Sequence, residues 1–211
     1  MQKQPGGFVK LYVLAGFLCT WIALILQFYL IIVNRQTTVF TTIIRYFSYF
    51  TILTNILAAL CFTVRLFQKR DRQKHFLLKP STLAAVTVYI TVVGLVYNII
   101  LRPLWSPTGL QQVVDEMLHS LNPLLFLVYW LLFVSKKDVQ WKQVFPWLIY
   151  PLVYLVYTFM HGALSGFYPY PFVDVNSNGY GKTLINCAVL CGVFLFFSVL
   201  FVGIAKLGNR R

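Results

Sequence analysis

Long runs of apolar residues dominate the chain, and short polar segments separate them. A helix of about 20 apolar residues is long enough to cross the hydrocarbon core of a bilayer. The pattern predicts six such helices, at 8–33, 42–67, 80–101, 115–134, 144–162 and 183–207. The first run is too long for the apolar region of a cleaved signal, so we expect it to remain as an anchor. We therefore expect an all-α integral membrane bundle, with one six-helix domain spanning 1–211.

Composition agrees with this prediction. Of the 211 residues, 59% are hydrophobic and only 11% are charged, which is far from the profile of a soluble domain. All four cysteines fall inside predicted helices, where a free cysteine behaves as a small hydrophobic residue. We expect a multi-pass protein of the cell membrane, with membrane lipids as its surroundings.

The positive charges predict an orientation. Of the 18 Lys and Arg residues, only Arg35, Arg45, Arg102 and Lys182 fall on the far side if the chain crosses six times from its N-terminus. Cytoplasmic loops carry the excess of positive charge, so we expect both termini in the cytoplasm. The basic segment 68–79 is then expected to contact anionic lipid headgroups. This distribution explains the net charge of +13 without a nucleic-acid partner.

Polar side chains inside the predicted helices are the candidates for function, because unpartnered polar groups are disfavoured in hydrocarbon. In helix 2 they are Thr51, Thr54 and Asn55; in helix 4, Asp115, His119 and Asn122 share one face by helical spacing. The predicted topology places both groups in the outer half of the bilayer. We expect them to line a water-accessible pocket.

A structural interpretation stands beside the functional one. Hydroxyl and amide side chains on membrane helices often hydrogen-bond to neighbouring helices, and Thr54, Asn98 and Asn122 fit that description. Histidines are more informative, since an ionisable residue inside a membrane is by default a functional candidate. His119 and His161 are the two that fall in predicted helices.

A hydroxyl near an imidazole is the minimum that nucleophilic acyl transfer requires, because the imidazole takes the proton of the attacking oxygen. Thr51 and His119 are predicted at comparable depth, and Asp115 lies one turn above His119, where it can hold one tautomer. The sequence contains no G-x-S-x-G, H-E-x-x-H or P-loop motif.

Three stretches carry a resemblance to a known family: YFTILTN at 49–55, EMLHSLNPLLF at 116–126 and MHGALSGFYPYPF at 160–172. They resemble the androgen-induced-gene family and its bacterial relatives labelled Pr6Pr, and the order and spacing of helices is similar over essentially the whole chain. The resemblance implies a multispanning intramembrane hydrolase that cleaves fatty acid esters of hydroxy fatty acids with a threonine nucleophile and a histidine, without a cofactor.

Matched residue by residue, the family nucleophile corresponds to Thr51, and a shift of one turn would make it Thr54 instead. The family histidine that precedes a proline-containing helix corresponds to His119, and the histidine of helix 5 corresponds to His161. The residues 52–55 after the threonine are only loosely like the eukaryotic pattern.

Position alone suggests further roles around an amphiphilic lipid ester. Asp115 would orient His119, and Asn55 or Asn122 would donate to the developing oxyanion, an interaction worth about 3 kcal/mol where it has been tested. Arg45 or Arg102 would bind a substrate carboxylate.

Two other classes of function remain open at this stage. The first is a non-enzymatic transporter or scaffold, although transporters tend to show paired repeats with interrupted helices at the midplane, and no repeat is visible. The second is a haem or metal site at His119 and His161, which no cysteine or third histidine completes. No metal is expected.

Overall fold

The computed structural model describes residues 6–68 and 75–208, and these ranges are helical with no β-strand. The α-helices are α1 Gly7–Val33, α2 Val39–Phe47, α3 Phe50–Phe67, α4 Pro80–Val96, α5 Gly109–Glu116, α6 Asn122–Phe133, α7 Val144–Ser165 and α8 Val175–Gly208. Short 3-10 turns occur at Phe76–Leu78, Arg102–Leu104, Trp141–Gln143 and Pro171–Val173.

Six stretches are helical, long and apolar enough to cross a membrane: Gly7–Val33, Phe50–Phe67, Pro80–Leu104, Gly109–Phe133, Trp141–Ser165 and Val175–Gly208. The prediction of six helices long and apolar enough to span a membrane is confirmed. Part of the basic segment and both charged termini lie outside the described residues, so the orientation in the membrane stays a prediction.

Helix α4 is the centre of the bundle and contacts α3, α6 and α8. Helix α1 packs against α3 and α6, while α7 packs against α8. The approach of α4 to α6 depends on Gly94, because a Cβ there would lie 3.1 Å from Pro123 Cβ and 3.2 Å from the His119 carbonyl oxygen. A small residue is therefore needed at the crossing that brings His119 near α4.

The prediction of one continuous helix over 42–67 is wrong, because that segment is interrupted. Ser48 and Tyr49 separate α2 from α3, and Tyr49 is extended with ψ 125°. The Ser48 carbonyl accepts a hydrogen bond from the Tyr154 hydroxyl at 2.9 Å, so a side chain of α7 satisfies the backbone where the helix breaks. As a result Thr51 is the second residue of a helix rather than part of its middle.

Two π-helical turns occur, Tyr97–Leu101 at the end of the third span and Met117–Leu121 in the first half of the fourth. Each turn ends two residues before a proline, at Pro103 and Pro123. Proline has no N–H and its ring crowds the carbonyl four residues earlier, so the wider turn relieves a conflict that the sequence creates. Such wide turns often occur at functional sites.

Proline leaves backbone carbonyls without helical partners, and side chains of other helices satisfy them. Pro123 offers no N–H to the preceding turn, where the carbonyls of Leu118 and His119 accept from Asn55 Nδ2 at 3.2 Å and Asn98 Nδ2 at 3.3 Å. The Trp147 carbonyl, which would otherwise bond to residue 151, accepts from the Tyr89 hydroxyl at 2.7 Å.

Several helices extend beyond their predicted boundaries. The helix predicted at 115–134 begins at Gly109 because α5 and the second π turn extend it, and the one predicted at 144–162 continues to Ser165. The last helix begins at Val175 instead of 183, with its first turn held by Asp174, which accepts from Asn176 N at 2.9 Å. Gly179, with φ 71°, interrupts it near this start.

Candidate functional site

One large cavity lies at the end of the bundle formed by the connections after the first, third and fifth spans. Its volume is about 530 Å³, and residues 34–37, Trp105 and Phe167 from those three connections contribute to its wall. Thr51 and His119 both line it, together with Arg45, Tyr97 and Asp115. The structure therefore brings a hydroxyl, an imidazole, a carboxylate and a guanidinium to one space.

Thr51 is held by a tyrosine from the connection between α7 and α8. The Thr51 N–H donates to the Tyr170 hydroxyl oxygen at 3.1 Å, and the two hydroxyls lie 3.2 Å apart. The N–H belongs to the first turn of α3, where backbone donors have no helical partner. Desolvation raises the pKa of Tyr170, so its phenol stays protonated at neutral pH and remains a donor.

His119 is fixed on two sides. Its Nδ1 lies 2.9 Å from the Asp115 carbonyl oxygen and 3.4 Å from Asp115 Oδ1. The Tyr97 ring stacks on the imidazole at a centroid distance of 4.0 Å and an interplanar angle of 13°, and its hydroxyl donates to Asp115 Oδ2. Both π turns thus contribute one ring to this stack.

The contacts of Nδ1 assign the tautomer of His119. Two oxygen acceptors face Nδ1, so the proton of the neutral imidazole belongs there. Nε2 then carries the lone pair and can accept a proton from a nucleophile. No hydrogen bond joins His119 to Thr51, and the Thr51 hydroxyl bonds to Tyr170 instead.

The structure does not bring Asn55 and Asn122 into the wall of the cavity, which removes the basis for an oxyanion role. Both are 0% exposed. Asn55 Nδ2 donates to the Thr51 carbonyl at 2.9 Å and to the Leu118 carbonyl, while its Oδ1 accepts from Asn122 Nδ2 at 2.9 Å. The Asn55 amide nitrogen therefore bonds to the backbones of Thr51 and Leu118, and it fixes the position of Thr51 relative to the turn that carries His119.

Of the two arginines considered for a substrate carboxylate, only Arg45 lines the cavity. Its guanidinium carbon lies 4.5 Å from the centroid of the Phe167 ring, its Nε is buried without a hydrogen-bond partner, and no ion pair involves it within 6–68 and 75–208. Arg102 is ion-paired with Glu116 and also donates to Asn98 Oδ1 at 2.8 Å.

Two other candidates lie outside the cavity wall. Thr54 is 0% exposed, and its hydroxyl lies 3.3 Å from the Tyr150 hydroxyl. His161 stacks on Tyr157 at 5.6 Å and contacts the Phe167 ring edge to face at 6.0 Å. His161 therefore supports the ring on which Arg45 lies, and the two histidines do not share a site.

Neither Tyr97 nor a role for Tyr170 was predicted from the sequence. Pro103 is a sequence signal for a distorted helical turn before it, and Tyr97 begins that turn. No local signal could reveal Tyr170, because its contact with Thr51 joins residues 119 positions apart.

Within the described ranges, no group of three or more His, Cys, Asp or Glu side chains is arranged to hold a metal ion. Comparison of the chain with protein-family models, with curated proteins and with solved structures found no match.

Proposed function

We propose that the protein is an intramembrane hydrolase of amphiphilic lipid esters, with Thr51 as nucleophile and His119 as general base. The observation that carries the proposal is that both side chains line one cavity while Asp115 and Tyr97 hold the imidazole with Nε2 free to accept a proton. The resemblance to intramembrane threonine hydrolases points to the same pair.

The chemistry follows the usual two steps of acyl transfer. The Thr51 hydroxyl oxygen attacks the ester carbonyl, its proton passes to His119 Nε2, and the same proton is then given to the departing alcohol. Water, deprotonated by His119, attacks the acyl-threonine, and the carboxylic acid leaves as the Thr51 hydroxyl is regenerated. Asp115 stabilises the imidazolium formed in each step.

Negative charge develops on the carbonyl oxygen during both steps, and two donors next to the nucleophile are suited to it. They are the Tyr170 hydroxyl and the Thr51 N–H at the start of α3, where the helix dipole also favours an anion. In this structure the Thr51 N–H donates to the Tyr170 oxygen, and an incoming ester oxygen would replace that acceptor. The Tyr170 O–H would turn from the Thr51 hydroxyl oxygen to the same ester oxygen.

Arg45 supports an acidic substrate. A guanidinium that lines a cavity without a carboxylate partner is a site for an anionic group, and Phe167 keeps its plane in place. The proposed substrate is therefore an ester that also carries a free carboxylate, such as a fatty acid ester of a hydroxy fatty acid.

Labelling with a fluorophosphonate probe in detergent tests the nucleophile. We expect labelling of the wild type and of Thr54→Ala, whose hydroxyl is outside the cavity, and loss of labelling in Thr51→Ala and His119→Ala. Labelling that persists in Thr51→Ala would refute the assignment.

Hydrolysis of a branched fatty acid ester tests the substrate. Arg45→Gln should raise KM for the free acid but not for its methyl ester, and Arg102→Gln, whose residue is ion-paired to Glu116, serves as the matched control. Equal effects of the two arginine substitutions would contradict the role of Arg45.

A transporter is the second candidate, because the interrupted second span at Ser48–Tyr49 borders the cavity. Solute uptake by liposomes, combined with an absence of ester hydrolysis, would favour it.

A further inference from the structure

A second, much smaller cavity adjoins the first. It lies between α4, α7 and α8 beside the start of α3, and its volume is about 60 Å³. Four of its wall residues also line the large cavity: Thr51, Tyr97, Leu101 and Tyr170. We call it the apolar slot. The two cavities therefore meet at the proposed nucleophile.

The hydroxyls on the wall of the slot already have hydrogen-bond partners. Tyr97 donates to Asp115, Tyr170 bonds to Thr51, and Tyr154 donates to the Ser48 carbonyl at 2.9 Å. The rest of the wall is almost entirely aliphatic or aromatic. A water molecule needs two to four polar partners to be stable in such a place, and the slot does not offer them.

From this we infer that the apolar slot binds one unbranched hydrocarbon chain, the acyl chain attached to the carbonyl that Thr51 attacks. The inference rests on the proposed function only for the position of the ester; the chain itself is indicated by the apolar wall, and the small volume limits the bound part to the first few carbons. The polar remainder of the substrate would occupy the large cavity, with its carboxylate at Arg45.

Leu190 on α8 provides a way to fill the slot from its far wall. It lines the slot, whereas its neighbour Val189 is 62% exposed on the outer surface of the same helix. Leu190→Trp and Val189→Trp therefore introduce the same side chain at adjacent positions, one inside the slot and one outside. Val93→Phe fills it from α4 and keeps the test valid if Leu190→Trp does not fold.

The first experiment measures kcat/KM for p-nitrophenyl esters of two to eight carbons at a fixed detergent concentration. In wild type and Val189→Trp we expect each added methylene to raise kcat/KM by up to about fourfold, until the slot is full. In Leu190→Trp and Val93→Phe the rise of kcat/KM with chain length should be lost. Partitioning into detergent affects all variants equally, so equal slopes in Leu190→Trp and Val189→Trp would overturn the inference.

The second experiment does not need turnover. A six-carbon fatty acid with a terminal diazirine is photolysed with Thr51→Ala, and cross-linked peptides are identified by mass spectrometry. Cross-links within 190–194 that disappear in Leu190→Trp support the slot, even if no ester is hydrolysed and the proposed function fails. Cross-links confined to the outer surface would overturn the slot, whatever the hydrolytic activity.

Discussion

Asn55 is the residue whose replacement tests the architecture of the site most directly. It is fully buried, donates to the Thr51 and Leu118 carbonyls, and accepts from Asn122. Asn55→Leu preserves approximate volume and removes all three bonds. The Thr51 carbonyl keeps its partner within α3, but the Leu118 carbonyl and the Asn122 amide lose theirs.

Two limits bound the expected loss in the free energy of unfolding caused by Asn55→Leu. A buried orphan group costs about 1–3 kcal/mol in a protein interior, so two orphans give an upper range of about 2–6 kcal/mol. Interhelical hydrogen bonds in membranes average only about 0.6 kcal/mol when measured by double-mutant cycles, which gives a lower limit of about 1 kcal/mol for two. We expect about 3 kcal/mol, because Pro123 denies the Leu118 carbonyl an alternative backbone donor.

The free energy of unfolding is measured by circular dichroism in mixed micelles as the SDS fraction rises. Thr54→Val on the same helix is the control and should cost less than about 1 kcal/mol, since it removes a single 3.3 Å contact. Repeating Asn55→Leu in a Pro123→Ala background restores an N–H near the Leu118 carbonyl, so the cost should fall by about 1 kcal/mol. A cost that is the same in both backgrounds would refute the explanation by orphaned carbonyls.

Two further predictions concern neighbouring contacts. Gly162→Ala should lower hydrolytic activity, because its Cβ would lie 2.1 Å from the Tyr168 ring and displace the segment that carries Tyr170, while Gly192→Ala, which meets nothing within 4 Å, should leave activity unchanged. Normal activity in Gly162→Ala would show that this segment does not position the site. Tyr89→Phe should lower the free energy of unfolding by about 1–3 kcal/mol, because the Trp147 carbonyl loses its donor opposite Pro151. An unchanged unfolding curve in the same SDS titration would show that this carbonyl finds another partner.

The polar residues of the spans show how far the candidate site could be predicted from the sequence. Polar residues are scarce within the spans, so the sequence could nominate Thr51, Asn55 and His119 as a group. It could not distinguish the residue that lines the cavity from the one that only positions others, because Asn55 and Thr51 lie on the same helical face. The difference depends on the break at Ser48–Tyr49, which places Thr51 at a helix terminus while Asn55 stays one turn deeper.

The number and approximate limits of the six spans were determined by the sequence alone, because hydrophobicity over about 20 residues is a local property. The π turns were also encoded locally, by the positions of Pro103 and Pro123, although they were not predicted. Only the tertiary structure decided that Asn55 and Asn98 donate to the Leu118 and His119 carbonyls beside Pro123, and that Tyr170 reaches Thr51. These contacts join residues far apart in the chain, and each backbone group accepts whichever donor the packing of the helices brings within reach.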